Sequence, residues 1–140
     1  MPDILHELTI AADTDAVYEA LVTPEGLAQW WTQDVQATPQ TGGAVVLGFR
    51  RRSFTIEAEV ECLDPGHMVA WICTGGHPEW VGTRISFMIS RTPDRTQVNL
   101  SHTGWASADG MLPRCSFDWA RYLLSLKSYL ETGEGRPHRA

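Results

Sequence analysis

His102 and Asp118 have the clearest capacity for acid–base chemistry in this 140-residue sequence. An imidazole titrates near neutral pH, so a His102 that faces an internal cavity could exchange a proton there. Asp118 could pair with His102 or with Arg84 at such a site. The sequence places no second catalytic group beside His102, which favours a histidine satisfied by a neighbouring hydroxyl or carbonyl. Asp118 also fits a solvated helix position, with Arg114 and Arg121 four and three residues away.

Other catalytic and metal-binding patterns are missing from the sequence. It contains no glycine-rich phosphate loop, nucleophile elbow or zinc-peptidase motif. Its three cysteines have no CxxC spacing. Glu57, Glu59 and Glu61 alternate with apolar residues, which predicts a solvated sheet face and not a metal cluster. We therefore expect no metal ion and no cofactor.

The charge balance limits the partners of the chain. Its formal net charge is −6, and nucleic-acid binding relies on clustered basic side chains. The one basic run, Arg50 to Arg52, predicts a solvated turn between strands. The first residues lack a basic and apolar leader, and no apolar segment approaches the length of a membrane span. We expect a cytoplasmic protein with no nucleic-acid partner and no membrane span.

Aromatic residues are the second signal for a site, since the chain has six Trp, four Phe and three Tyr. Tryptophans in a small domain fill wide gaps or line a cavity, and both interpretations are open here. Trp71 and Trp119 are predicted for a cavity wall, and Trp80 and Trp105 for its rim. The full set of predicted ligand-binding residues is Trp31, Phe49, Trp71, Trp80, Phe87, His102, Trp105, Trp119, Tyr122 and Leu123.

The elements that would position these side chains follow from hydrophobic periodicity. Ile4–Ile10 alternates as a strand, and Asp13 can cap a helix whose apolar residues recur at helical spacing. Thr23 and Pro24 end that helix and begin a second short one. The polar segment 33–43 predicts a connector without regular structure.

Five further strands and one long helix complete the predicted order. The strands cover 44–49, 54–63, 67–74, 83–90 and 97–103. Cys62 is predicted on the inward face of its strand, and Gly75-Gly76 is predicted in a turn. The helix covers 113–131, and the polar tail beyond Gly133 is expected to fray. Strands that are segregated from helices indicate an α+β fold, in one domain over 1–140.

Three segments resemble a known family. Pro24–Trp31 (PEGLAQWW), Asn99–Trp105 (NLSHTGW) and Tyr129–Gly133 (YLETG) resemble the START/Bet v-like superfamily, called SRPBCC. Within it they resemble homologues of the heat-shock-protein-90 ATPase activator. The resemblance covers nearly the whole chain and implies a helix-grip fold, in which a curved antiparallel sheet wraps the long C-terminal helix around a cavity. Asp118 departs from the glycine that usually precedes Trp119, and the 140 residues leave no room for the activator's chaperone-binding domain.

The resemblance leaves three functions open. The first is binding of a small hydrophobic or aromatic molecule or a lipid in the cavity, without catalysis. The second is a polyketide cyclase or aromatase-like reaction, with His102, Asp118, Tyr122 and Arg84 as the polar groups. The third is a chaperone-associated partner in a stress response. A homodimer is compatible with each.

Overall fold

The fold is a seven-stranded antiparallel sheet with three helices, seen in a computed structural model that describes residues 2–139. The elements in chain order are β1 (Ile4–Ile10), α1 (Thr14–Val22), α2 (Pro24–Trp30), β2 (Asp34–Ala37), β3 (Ala44–Phe49), β4 (Phe54–Asp64), β5 (Met68–Gly76), β6 (Arg84–Arg91), β7 (Thr96–Thr103) and α3 (Leu112–Thr132). The strand order is β1-β7-β6-β5-β4-β3-β2. This curved, open sheet around a long C-terminal helix confirms the α+β helix-grip prediction.

Local capping explains where the helices begin and end. The side chain of Asp13 accepts a hydrogen bond of 2.7 Å from the amide of Ala16 and starts α1. Thr23 does the same for the amide of Gly26, at 2.9 Å, and starts α2. The long helix α3 ends where Gly133 adopts a left-handed φ of 87°, a conformation that glycine adopts without steric cost.

The core lies between the sheet and one face of α3. Trp119, Leu123 and Leu126 project from α3 at helical spacing and are buried. Trp71 and Phe87, on neighbouring strands of the sheet, are buried with them, and the ring of Phe87 lies edge-on to that of Trp119 with centroids 5.8 Å apart. Large aromatic side chains thus fix the spacing between the sheet and the helix.

The predicted connector over 33–43 is wrong in its first part, which forms β2. Strand β2 pairs with β3, from Asp34 opposite Gly48 to Ala37 opposite Val45. It is an edge strand, and its side chains are partly or fully exposed, so its sequence lacks the apolar alternation of a half-buried strand.

Gly75 and Gly76 belong to strand β5, which corrects the predicted turn. Gly76 lies opposite Ile56 with a φ of 98°, where a Cβ would collide with the carbonyl oxygen of Thr55. Glycine here permits close pairing of two strands at a shift in their register, and not a reversal of the chain.

Cys62 lies on the face opposite to the predicted one. A β-bulge between Val60 and Cys62 adds a residue to β4, so Val60 faces Trp71 while Cys62 faces Ala70. Leu63 then packs against the core. Strict alternation fails after a bulge because one extra residue reverses the facing of those that follow.

The C-terminal tail is docked, which overturns the expectation that it frays. The amide of His138 donates to the carbonyl of Trp31 at 2.8 Å, and the amide of Gln33 donates to the carbonyl of His138 at 3.0 Å. The amide of Arg136 also donates to the hydroxyl of Ser125 on α3. These backbone contacts lay residues 135–138, which we call the C-terminal strap, across the end of α2.

Candidate functional site

A cleft of about 560 Å³ opens between the first half of α3 and the ends of β3 and β4. Its size falls in the range of roughly 300–1,000 Å³ that is typical of small-molecule sites. Its apolar and sulfur-containing lining consists of Trp31, Phe49, Phe54, Ile56, Trp80, Met111, Cys115, Trp119 and Tyr122. Its remaining lining consists of Arg50, Gly110, Arg114, Asp118, Arg121 and His138.

Trp31 is at the centre of the aromatic wall. Its ring centroid lies 4.8 Å from that of Trp119 and 6.4 Å from that of Tyr122. The ring of Phe49 lies 6.3 Å from Tyr122 and 6.0 Å from Phe54. Such spacings are those of packed aromatic pairs, so the wall is held in shape before any ligand arrives.

The structure divides the ten predicted ligand-binding residues into two groups. The five that line the cleft are Trp31, Phe49, Trp80, Trp119 and Tyr122. The five that are buried outside its lining are Trp71, Phe87, His102, Trp105 and Leu123. Trp105, expected at a rim, is 1% exposed and packs within the interior. A role in ligand binding for any of the ten stays a prediction.

His102 is the hub of a buried hydrogen-bond network. Its Nδ1 accepts from the indole N–H of Trp119 at 3.0 Å, and its Nε2 lies 2.8 Å from the hydroxyl of Thr83. Because an indole N–H can only donate, Nδ1 carries no proton and Nε2 does. Nε2 therefore donates to Thr83, whose own hydroxyl donates to the carbonyl of Trp80 at 2.6 Å.

Burial keeps His102 neutral. Burial lowers the pKa of the imidazole from 6.5 to about 3. Both ring nitrogens form hydrogen bonds with protein groups. His102 is therefore the buried histidine with a neighbouring hydrogen-bond partner that the sequence analysis favoured over a catalytic group. It positions Trp119, which itself lines the cleft.

Asp118 lies at the cleft mouth and pairs with neither His102 nor Arg84. Its carboxylate is 3.3 Å from Arg121 and 3.9 Å from Arg114, the helical partners considered from the sequence. Arg84 instead donates to Glu61 on the sheet, at 2.7 Å. Asp118 therefore occupies a partly exposed helix position with arginine partners on the same helix, and it does not form a pair with His102 or Arg84.

Nine residues of the cleft lining were not predicted as site residues, and Arg50 and His138 are two of them. Arg50 was assigned to a solvated turn, and the turn exists, with φ of 51°, 56° and 64° at Arg50 to Arg52. The backbone amide of Arg50 donates to Nε2 of His138 at 3.0 Å, which joins the turn to the C-terminal strap. Arg52 holds the turn from the other side through two hydrogen bonds to Asp34. Three successive left-handed residues give no distinctive sequence signal when none is glycine.

Cys115 and Trp80 meet at the inner end of the cleft. Burial raises the pKa of the Cys115 thiol to about 11. The thiol is therefore protonated at neutral pH and is not an activated nucleophile. The indole N–H of Trp80 is buried, and no acceptor among residues 2–139 forms a hydrogen bond with it.

Within residues 2–139, no three His, Cys, Asp or Glu side chains converge as metal ligands would. In the same part of the chain, no helix is both long and apolar enough to cross a bilayer.

The fold and its aromatic cleft define a helix-grip protein of the SRPBCC type. A family model described as activator of Hsp90 ATPase homolog 1-like protein matches residues 11–131. The chain belongs to this family. The C-terminal strap lies beyond the matched residues. A search of curated proteins finds no significant relative.

Solved structures support the same assignment. An Aha1 dimer from Colwellia psychrerythraea is 34% identical, with a TM-score of 0.88 over 96% of this chain and 100% of that chain. A protein from Staphylococcus saprophyticus is 20% identical, with a TM-score of 0.81 over 99% of this chain and 98% of that chain. A putative protein in the dynemicin biosynthetic locus is also 20% identical, with a TM-score of 0.82 over 99% of this chain and 51% of that chain. The last two likenesses concern the fold alone.

Proposed function

We propose that the protein binds a small hydrophobic or aromatic molecule, or the chain of a lipid, in the cleft between α3 and the ends of β3 and β4. The observation that carries this proposal is an open cleft of about 560 Å³ whose wall is built from packed aromatic rings. Apolar burial in such a cleft contributes roughly 25 cal/mol for each Å² that the ligand removes from water.

The polar groups favour binding over catalysis. His102 is neutral, lies outside the cleft lining and has both nitrogens occupied. Asp118 is engaged by two arginines, and the Cys115 thiol is protonated. Of the groups considered for a cyclase or aromatase-like reaction, only Asp118 and Tyr122 reach the cleft. A chaperone-associated role has no specific contact in its favour.

Calorimetric titration with 2-naphthamide, a neutral aromatic amide, tests this proposal. We expect saturable binding with a stoichiometry of one per chain, and we expect Phe49→Ala to weaken it about tenfold because it removes part of the wall. The matched control is Leu5→Ala, which truncates an exposed side chain on β1 that does not line the cleft. Heat signals that do not saturate, or equal affinities for the two variants, would overturn the proposal.

We further propose a homodimer and a reducing, cytoplasmic location. The relative from Colwellia psychrerythraea is described as a dimer, and it is 34% identical to this chain. Phe117 and Leu124 are 66% and 63% exposed, and they lie two turns apart on α3, opposite Trp119 and Leu126. The three cysteines are free, which is usual for proteins of reducing compartments.

A further inference from the structure

The mouth of the cleft has the opposite charge to the protein as a whole. The chain carries a formal charge of −6, yet three arginines and one aspartate line the cleft. Counting those four side chains gives a local charge of +2, from three positive groups and one negative group. A positive site in an acidic protein concentrates anions at that site and repels them elsewhere.

The single carboxylate is already engaged by its helical neighbours. Asp118 lies 3.3 Å from Arg121 and 3.9 Å from Arg114, so it offsets one of their two charges. Arg50 approaches from the turn after β3 and makes no salt bridge with any carboxylate of residues 2–139. A guanidinium at the end of an aromatic wall is therefore available to an incoming anion.

Tyr122 marks where the charged rim meets the aromatic wall. The guanidinium carbon of Arg121 lies 5.8 Å from the centroid of the Tyr122 ring. Burial raises the pKa of the Tyr122 phenol; the charge of Arg121 lowers it, that of Asp118 raises it, and that of Arg50 lowers it. Both arginines thus act at the same phenol from two different elements, α3 and the turn after β3.

We propose, resting on the proposed function, that the ligand is a small apolar carboxylate: an aromatic or short aliphatic body lies on Trp31, Phe49 and Tyr122, and its carboxylate is bound by Arg50 and Arg121. The planar guanidinium fork matches the two oxygens of a carboxylate, and such charge-assisted bonds are stronger than neutral ones. Arg114 is more exposed, with 72% of its side chain accessible, and lies 3.9 Å from Asp118. Arg121 donates a hydrogen bond to Asp118 at 3.3 Å, so the carboxylate of the ligand competes with Asp118 for this guanidinium.

A pair of probes of equal shape tests the charge requirement. Calorimetric titrations with 2-naphthoate and with 2-naphthamide compare a carboxylate with its neutral amide on the same aromatic body. We expect about tenfold tighter binding of 2-naphthoate at low salt, and a smaller ratio at high salt because exposed charges are screened. Equal affinities would overturn this inference and leave the proposed function standing, whereas no binding of either probe would overturn both.

Variants of the rim assign the preference to named side chains. Arg50→Gln and Arg121→Gln should each remove most of the preference for 2-naphthoate. Arg51→Gln is the matched control, since it lies in the same left-handed turn, removes the same charge and does not line the cleft. Asp118→Asn should increase the preference, because it removes the competing carboxylate. Equal losses in the Arg50 and Arg51 variants would show a general charge effect and contradict the assigned site.

Discussion

The imidazole of His102 connects strand β7 to helix α3 and to the loop before β6. Its nitrogens lie 3.0 Å from Trp119 and 2.8 Å from Thr83. The backbone carbonyl of His102 also accepts a hydrogen bond from the indole N–H of Trp105, at 3.1 Å. A buried polar group that satisfies all its hydrogen bonds fixes the orientation of its neighbours, here including one cleft tryptophan.

Acid should destabilise the protein through His102. The unfolded chain takes up this proton near pH 6.5, whereas the folded protein keeps the imidazole neutral to about pH 3. The unfolded state therefore binds more protons between these values, and stability falls as the pH is lowered through that window. The contribution of this one group is up to about 1.4 kcal/mol of unfolding free energy for each pH unit. Urea denaturation between pH 7 and pH 4 measures it.

Two variants isolate the His102 contribution. His102→Gln should flatten the acid dependence, and His67→Gln, at an exposed turn position, should leave it unchanged. If the glutamine at position 102 prevents folding, the ring nitrogen NMR shifts of the wild-type protein give the same information. An imidazole at position 102 that titrates near pH 6.5 in the folded state would contradict this account.

The sequence predicted individual residues well where their strands alternate without interruption. The inward position of His102 and the outward positions of Glu57, Glu59 and Glu61 follow from alternation, and the structure confirms them. Cys62 does not follow it, because a bulge depends on the pairing of two strands and leaves no local pattern in one of them.

At the scale of elements, the C-terminal strap completes one side of the cleft. It brings His138 beside Arg50 and against Phe49, whose ring centroid lies 5.4 Å from the imidazole. The family match ends at residue 131, so the strap lies outside the matched residues. The sequence could not predict its docking because three of its hydrogen bonds use backbone amides or a backbone carbonyl of the strap, and backbone groups leave no sequence pattern.

Gly135→Ala should undock the strap without removing it. A Cβ at position 135 would collide with the carbonyl oxygen of Gln29, a backbone atom that cannot turn away. We expect the amides of Gln33 and His138 to exchange about tenfold faster or more, which corresponds to ~1.4 kcal/mol of local opening free energy. Amide hydrogen exchange measured by NMR checks this result.

Glu134→Ala is the matched control for the strap. The hydrogen bonds of residue 134 use its backbone atoms, so the substitution preserves them. Unchanged exchange at Gln33 and His138 in the Gly135 variant would contradict a docked strap.

Edge strand β2 is the other element that the sequence did not predict. It contributes four residues, and its pairing with β3 depends on partners 8 to 14 positions later, since Ala37 lies opposite Val45 and Asp34 lies opposite Gly48. Arg52 adds the bidentate pair to Asp34 across the same edge. Short edge strands are specified by such partners more than by their own composition.

At the scale of the whole molecule, the protein separates its surfaces by charge and polarity. The chain has a net charge of −6, three arginines line the cleft, and α3 carries Phe117 and Leu124 on its outer side. The overall fold could be predicted from the order of its elements and from the resemblance. The cleft mouth could not, because it is assembled from a turn, a helix and a strap that are distant in sequence.

The proposed homodimer predicts the mass of two chains in light scattering coupled to size-exclusion chromatography. The double substitution Phe117→Glu with Leu124→Glu should yield monomers, since it places charge in an apolar contact. Met88→Glu, which changes another exposed apolar side chain on β6, is the control and should stay dimeric. A wild-type monomer at high concentration would contradict the proposed dimer.

The six tryptophan indole N–H signals provide the most direct test of the ligand-binding cleft. Trp31, Trp80 and Trp119 line it, and the other three tryptophans are buried elsewhere or face away from it. A ¹⁵N-edited NMR titration with 2-naphthamide should move the signals of these three to a common saturation point and leave those of Trp30, Trp71 and Trp105 nearly in place. Shifts that do not saturate, or that affect all six signals alike, would contradict binding in the cleft.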